Sequence, residues 1–226
     1  MQFEHETYTK INTLYKRDEE KKIIIGDFSA PEFEYLFDNK WLAYEKIDGT
    51  NISVYWDGRN MEWHGKTENA SIPAHLFAKL NQLVTPEKLA EAFPLKYDEE
   101  GNELPMKVII YGEGYGKKIQ KAGNQYLKDD CNFRIFDVKI DGWWLEMENV
   151  KDIADKLGLE MPVCYGEMTL REAEEKVRKG FVSPIAEDTS LIAEGLVLRP
   201  VLQLFSRKGK RFIVKIKYHD YKRLET

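Results

Sequence analysis

The stretch Trp41–Trp56 constrains this chain more than any other. Two alternating runs, Trp41-Leu-Ala-Tyr-Glu45 and Ile52-Ser-Val-Tyr-Trp56, carry the period of half-buried strands. Between them lies Lys46-Ile47-Asp48-Gly49-Thr50-Asn51, a turn-forming cluster headed by a lysine. A lysine on rigid strands beside a tight glycine turn suits a nucleophile that must meet a phosphorus atom in line. The same residues suit an ordinary hairpin with a lysine on its solvent face, because Asp-Gly is a favoured hairpin turn. On this stretch alone the two readings weigh equally.

Length and composition bound what such a lysine serves. The 226 residues suffice for one large domain or two small ones. A hydrophobic share of 42% with 32% charged residues describes a soluble globular protein. No run is long enough to span a bilayer, and the N-terminal residues carry no apolar signal core. Cys131 and Cys164 lie far apart without a Cys-x-x-Cys, and read as reduced core residues of a cytoplasmic protein. His5, His64, His75 and His219 show no zinc spacing. A net charge of −5 argues against coating nucleic acid by bulk charge, yet allows a local basic groove.

Along the chain, residues 1–40 read as an irregular lead-in with one strand at Ile23-Ile24-Ile25. Lys16 and Arg17 there suit a solvated turn or an approach to phosphates. Asp57-Gly58-Arg59-Asn60 turns the chain into Met61–Lys66. Leu76, Leu80 and Leu83 predict a helix over 73–84, and Thr85-Pro86 starts another that ends near Phe93. Val108–Tyr111 is a buried strand delivering Gly112-Glu113-Gly114. Lys117, Lys118, Lys121 and Lys128 then interleave with glycines and tyrosines, as in a mobile loop on a nucleic-acid backbone or a merely solvated basic loop.

Phe133–Val138 is a strand, followed by a helix capped by Asn149 and closed by Gly158. A second helix opens with the capping box Thr169-Leu-Arg-Glu172 and stops at Gly180. Two short strands flank the turn Ser206–Lys210, and in the second Lys215 and Lys217 share a face. That pair suits phosphate neutralisation, or an edge strand guarded against aggregation.

Five of these segments, in this order, resemble the motifs of the covalent nucleotidyltransferases, which are polynucleotide ligases and mRNA capping enzymes. Lys46-Ile-Asp-Gly-Thr-Asn51 resembles the nucleophile motif in its RNA ligase form, since DNA ligases and capping enzymes usually carry arginine at the place of Asn51. Tyr111-Gly-Glu113-Gly114, Phe133–Val138, Glu194-Gly-Leu-Val-Leu198 and Lys215-Ile-Lys217 resemble the later motifs. The ordered set, rather than any one member, favours the nucleophile over the plain hairpin.

The resemblance implies an α+β fold: an antiparallel two-sheet nucleotidyltransferase (ATP-grasp-like adenylation) domain with helices between hairpins and ATP bound between the sheets. Residues 1–226 are expected to form this single domain, without the C-terminal accessory domain that many RNA ligases carry. It implies an ATP-dependent RNA ligase that passes AMP from Lys46 to an RNA 5′-phosphate and seals it to a 3′-hydroxyl. Glu194 is expected to orient Mg²⁺, with Mn²⁺ as a substitute. Lys215 and Lys217 are expected to neutralise phosphates and to oppose protonation of Lys46.

Glu45, Ile47, Asn51, Lys66 and Glu113 are expected at the nucleotide, with Glu113 on the ribose. Phe133 is expected to stack on the purine, leaving Phe136 in the core. Lys66 departs from the family's arginine and lacks its bidentate fork. RNA contacts are expected from Asn51, Lys66, Lys117, Lys118, Lys121 and Arg199. The expected partner is RNA ends, a nicked duplex above all, met by a monomer and away from membranes. A DNA ligase, a capping guanylyltransferase or a silent RNA-binding descendant would share the same motifs.

Overall fold

The computed structural model describes residues 3–225. The chain begins with β1 (Asn12–Thr13), β2 (Tyr15–Arg17), β3 (Ile23–Phe28), α1 (Pro31–Tyr35) and β4 (Trp41–Lys46). It continues through β5 (Thr50–Trp56), β6 (Met61–Gly65), α2 (Ala74–Leu83), α3 (Pro86–Ala92), β7 (Val108–Gly116), α4 (Gly123–Tyr126), β8 (Cys131–Ile140), β9 (Trp143–Trp144) and α5 (Met147–Leu157). It closes with β10 (Cys164–Met168), α6 (Leu170–Lys179), β11 (Gly195–Pro200), β12 (Val214–Lys217) and α7 (Tyr218–Lys222). The fold is mixed α+β with mainly antiparallel sheets, as expected, and a parallel pairing joins β1 to β12.

These elements divide into two compact units. A central unit comprises Met1–Tyr8 and Gly49–Met161, and a flanking unit comprises Thr9–Asp48 and Pro162–Thr226.

The central unit is built on a sheet of order β6-β5-β7-β8-β9. Alternation sends Ile52, Val54 and Trp56 of β5 to one face, where they join Val108, Ile110, Ile135 and Val138. Leu76, Leu80, Leu89, Ile153 and Leu157 of the helices pack there, each worth about 1.5–3 kcal/mol on burial. Part of the other face is covered by residues 3–8. Tyr8 Oη donates to Asp137 Oδ2 at 2.7 Å, and its ring lies 5.0 Å from Tyr111 and 5.7 Å from Trp144. Lys139 ion-pairs with Glu6 in the same segment. The start of the chain, without helix or strand over residues 3–8 as expected, is a strap held by aromatic contacts and hydrogen bonds.

The flanking unit is built on a sheet of order β1-β12-β11-β4-β10, with β2 and β3 as a separate pair. Trp41 and Ala43 of β4 face inward with Leu196, Leu198, Val214 and Ile216, against Leu170, Ala173 and Val177 of α6. The capping box of α6 forms as expected: Thr169 Oγ1 accepts from Glu172 N at 3.1 Å, and Glu172 Oε2 accepts from Thr169 N at 2.7 Å.

Some local expectations change. Helix α5 starts at Met147 with Glu146 as its N-cap, so Asn149 lies inside the first turn; Met147 packs against the core and draws the start forward. Cys131 is buried, but Cys164 is exposed, and both are free thiols. Lys16 and Arg17 lie on a strand rather than a turn, paired with Asp27 and Asp220, each at 2.6 Å. No helix among the described residues is long and apolar enough to cross a membrane.

Candidate active site

The flanking sheet lines up its charged residues by register. Lys46 of β4 and Lys217 of β12 both pair with Gly195 of β11, one from each side. Paired residues on antiparallel strands share a face, so the two lysines rise from one row, about 10 Å apart at the usual strand spacing. Gly195 puts no side chain between them. A Cβ there would strike the carbonyl oxygen of Ile216, and the φ of +149° is one that other residues rarely adopt. The carboxylate of Glu194 fills the gap: Oε2 is 2.5 Å from Lys46 Nζ and Oε1 is 2.6 Å from Lys217 Nζ. A hydrogen bond from Tyr218 N to the carbonyl of Glu194, 2.9 Å, fixes the glutamate's backbone to the start of α7.

Sequence reasoning expected Lys215 and Lys217 to press directly on Lys46. In the structure a carboxylate stands between Lys46 and Lys217, and Lys215 lies one row further along, opposite Val197. That next row runs Lys215–Val197–Tyr44–Cys164. Burial pushes the Tyr44 phenol up to about 12, helped by Cys164 and opposed by the nearby Arg199. Arg199 is itself buried at 8% exposure, so it does not offer a surface contact to RNA.

Glu45 also departs from its expected place. Its side chain points to the opposite face from Lys46, 2% exposed, and accepts from Ser183 Oγ at 2.5 Å and from Tyr165 Oη at 3.2 Å. Strand alternation dictates this, because residues 45 and 46 cannot share a face. Glu45 thereby ties the residues leading to Glu194 onto the strand that carries Lys46. Ile47 is buried as well, so its side chain packs rather than binds.

The central sheet has its own polar row, Asn51–Glu113–Arg134 across β5, β7 and β8. Arg134, which sequence reasoning passed over, sits directly beside Glu113. It donates to Tyr115 Oη at 3.0 Å and to the Met161 carbonyl at 2.7 Å, and pairs with Glu160 at 2.7 Å. Gly49 permits β7 to come close, since a Cβ there would meet the carbonyl oxygen of Gly114 and, at 2.8 Å, the Glu113 side chain. Lys66 directly follows Gly65, the partner of Ile52, so it leaves β6 at the Asn51 end. It is exposed and makes no ion pair or hydrogen bond among the described residues.

The aromatic assignment reverses. Phe133 is 1% exposed inside the core, edge-on to Trp63 at 5.8 Å, and cannot present a face to a base. Phe136 is the half-exposed ring. Between Tyr111↔Asp137 and Gly112↔Ile135 the ladder slips, leaving Phe136 as a bulged extra residue. Alternation from buried Phe133 and Ile135 sends Phe136 to the polar face, 5.1 Å from the ring of Tyr8, and the bulge returns Val138 to the core.

The lysine-rich loop is ordered by local bonds. Ile119 N donates to the Gly116 carbonyl at 2.9 Å, and α4 follows with Tyr126 buried. Lys117 pairs with Asp129 at 3.4 Å, while Lys118 and Lys121 remain exposed.

A profile of the RNA ligase family matches residues 39–217, which contain every residue of both rows. No curated protein matches the chain. Among solved structures, a Naegleria gruberi RNA ligase variant with ATP and Mn superposes with TM-score 0.61 at 16% identity, covering 86% of this chain and 54% of that one. An apo variant of the same ligase gives 0.62 at 15% identity, covering 98% and 61%. The form with pyrophosphate gives 0.60 at 17% identity, covering 96% and 63%. At these identities the likeness establishes the fold, and the chain spans little more than half to three-fifths of those proteins.

Proposed function

The chain belongs to the RNA ligase family, and from that premise we propose an ATP-dependent ligase that seals RNA ends through a lysyl-AMP intermediate on Lys46. The observation that carries this reading is the Lys46–Glu194–Lys217 cluster, with a single carboxylate shared by two lysines at 2.5 and 2.6 Å. Lys46 Nζ forms a bond to the α-phosphorus of ATP as the bond to the bridging oxygen breaks and pyrophosphate leaves. The amine must shed a proton to attack, and Glu194 Oε2 stands within hydrogen-bond reach to receive it. Lys217, on the other carboxylate oxygen, keeps Glu194 aligned. The AMP then passes to an RNA 5′-phosphate, and a 3′-hydroxyl displaces it.

A divalent cation fits this donor set. Among the described residues no group of three or more His, Cys, Asp or Glu is placed to hold a metal unaided. Mg²⁺, however, takes only one or two protein carboxylates and completes its shell with water and phosphate oxygens. Glu194 would hold it, and the cation would supply charge neutralisation on the triphosphate. The Naegleria ligase structures with ATP, AMP and Mn support the same ligands here. In the central unit we assign the ribose to Glu113, phosphate contact to Lys66 and base stacking to Phe136. Two free thiols suit a cytoplasmic setting, and a monomer suffices for this chemistry.

Incubation with ATP or GTP labelled at the α-phosphate, with Mg²⁺, followed by a denaturing gel, tests the reading. ATP should label the protein and GTP should not. Lys46→Ala should remove the label without lowering the melting temperature, since the side chain is outside the core. Labelling by GTP, or label retained in the variant, overturns the assignment. For substrate, a nicked RNA duplex should be sealed faster than free single strands, because pairing has already aligned its ends.

A further inference from the structure

Between β11 and β12 the chain runs out into a hairpin that the chemistry above does not use. Phe205 bridges to Arg211, and Phe212 N donates to the Leu204 carbonyl at 3.1 Å. At the tip, Gly209 N donates to the Ser206 carbonyl at 2.9 Å, and Ser206 N donates to the Lys210 carbonyl at 2.8 Å. Gly209 has φ +72°, the left-handed residue that ends a three-residue hairpin loop. The tip is thus a built turn, and it presents Arg207, Lys208 and Lys210.

The charge here is one-sided. Residues 195–219 contain seven lysines and arginines and no aspartate or glutamate, in a chain with 39 acidic residues and a net charge of −5. Arg207, Lys208 and Lys210 are exposed and have no ion-pair partner among the described residues. In the lysine-rich loop Asp129 takes Lys117, leaving Lys118 and Lys121 exposed three residues apart. On the hairpin three such cations fall within four residues of one turn. Phe205, 50% exposed, and Leu202, 76% exposed, add an apolar flank that a folded chain ordinarily covers or uses.

We propose that the hairpin from Val201 to Arg211 grips the phosphate backbone of the RNA duplex at a distance from the point of sealing. This rests on the ligase reading for the identity of the partner. Charge complementarity selects the occupant, because a regularly spaced row of phosphates suits three free cations within four residues. Arginine matches a phosphate with a planar fork, which favours Arg207 for direct contact. The tip is eight to nine residues from Lys217, at most roughly 26–30 Å of extended chain from that residue's row. The hairpin therefore holds the arm of the substrate rather than its reacting ends.

The test is fluorescence anisotropy of the full chain with a nicked RNA duplex, from 50 to 200 mM salt. Against wild type, Arg207→Ala/Lys208→Ala/Lys210→Ala should weaken binding about tenfold or more at 100 mM salt. The slope of log affinity against log salt should shrink by about 2–3, as expected for the loss of three phosphate contacts. The melting temperature should hold, and Arg207→Lys/Lys208→Arg/Lys210→Arg should restore the slope. In sealing assays the triple alanine change should raise KM for RNA far more than it lowers kcat.

Unchanged affinity and slope in the triple alanine variant would overturn the proposal. So would hairpin-dependent binding to phosphatidylserine vesicles with RNA binding intact, which would make this a lipid-facing element. Absence of ATP labelling in the wild type would sink the ligase reading instead, and the anisotropy result would still decide the hairpin.

Discussion

The two five-stranded sheets treat their charged groups in opposite ways. On the flanking sheet, Lys46, Glu194 and Lys217 satisfy one another within a single row. On the central sheet, Arg134 is anchored by three protein partners, while Lys66 stands exposed beyond the strand. The first arrangement holds reacting groups in place before any ligand arrives, which is how a site avoids reorganising during the chemistry. The second leaves a cation that can meet a ligand's phosphate. Under the proposed function, the first row suits covalent chemistry and the second suits ligand holding.

The harshest way to break this contrast is to remove the shared carboxylate. Glu194→Ala leaves two facing lysines without their common acceptor, and ATP labelling should fall at least a hundredfold while the melting temperature moves by only a few degrees. Labelling within tenfold of wild type would show that the pre-paired row is not what the chemistry needs.

The aromatic pair sharpens the contrast inside the central sheet. Phe133→Ala empties a core position and should reduce stability by about 3–5 kcal/mol in urea unfolding. Phe136→Ala should lower stability by only about 1 kcal/mol, since the ring is half-exposed. It should raise the ATP concentration for half-maximal labelling about tenfold. The opposite pattern would mean that Phe136 does not meet the ligand.

The smallest effect is expected at Lys66. Lys66→Arg restores the fork that the family usually carries, and labelling should stay within about tenfold of wild type, a change worth roughly 1.4 kcal/mol. A clear drop in melting temperature would instead place this lysine in the packing of the central unit.

What the sequence made legible follows the range of the forces involved. Strand alternation around Lys46, the capping box at Thr169 and the Thr85-Pro86 helix start are local, and the structure contains all three. Lys46, Glu194 and Lys217 were named from ordered motifs, and register does bring them together. Alternation already puts Phe133 and Phe136 on opposite faces; which of the two faces meets the core was misread, because packing against the helices decides it and the strand's own residues do not. The burial of Glu45 follows from alternation, but its partner Ser183 lies 138 residues away and leaves no local trace. The strap of residues 3–8 was likewise invisible, since it depends on aromatic contacts with Tyr111 and Trp144. The basic tip at Ser206–Lys210 was in plain view; only the structure revealed that its cations remain unneutralised.

The order of strands in the flanking sheet bears on how the protein comes into being. β4 is made early, but its neighbours β10 and β11 come from the last third of the chain, and β12 beyond them comes last. About 170 residues separate Lys46 from Lys217, which at 5–20 residues per second is roughly ten to thirty seconds of synthesis. Through that interval the lysine sits on a strand without its hydrogen-bonded neighbours. Pairing across so many residues carries a large loop-closure entropy and makes for slow folding. The central unit, nearly continuous in sequence, meets no such delay. Closure of β11 and β12 over β4 is therefore the step at which a folding chain first brings Lys46, Glu194 and Lys217 into one row.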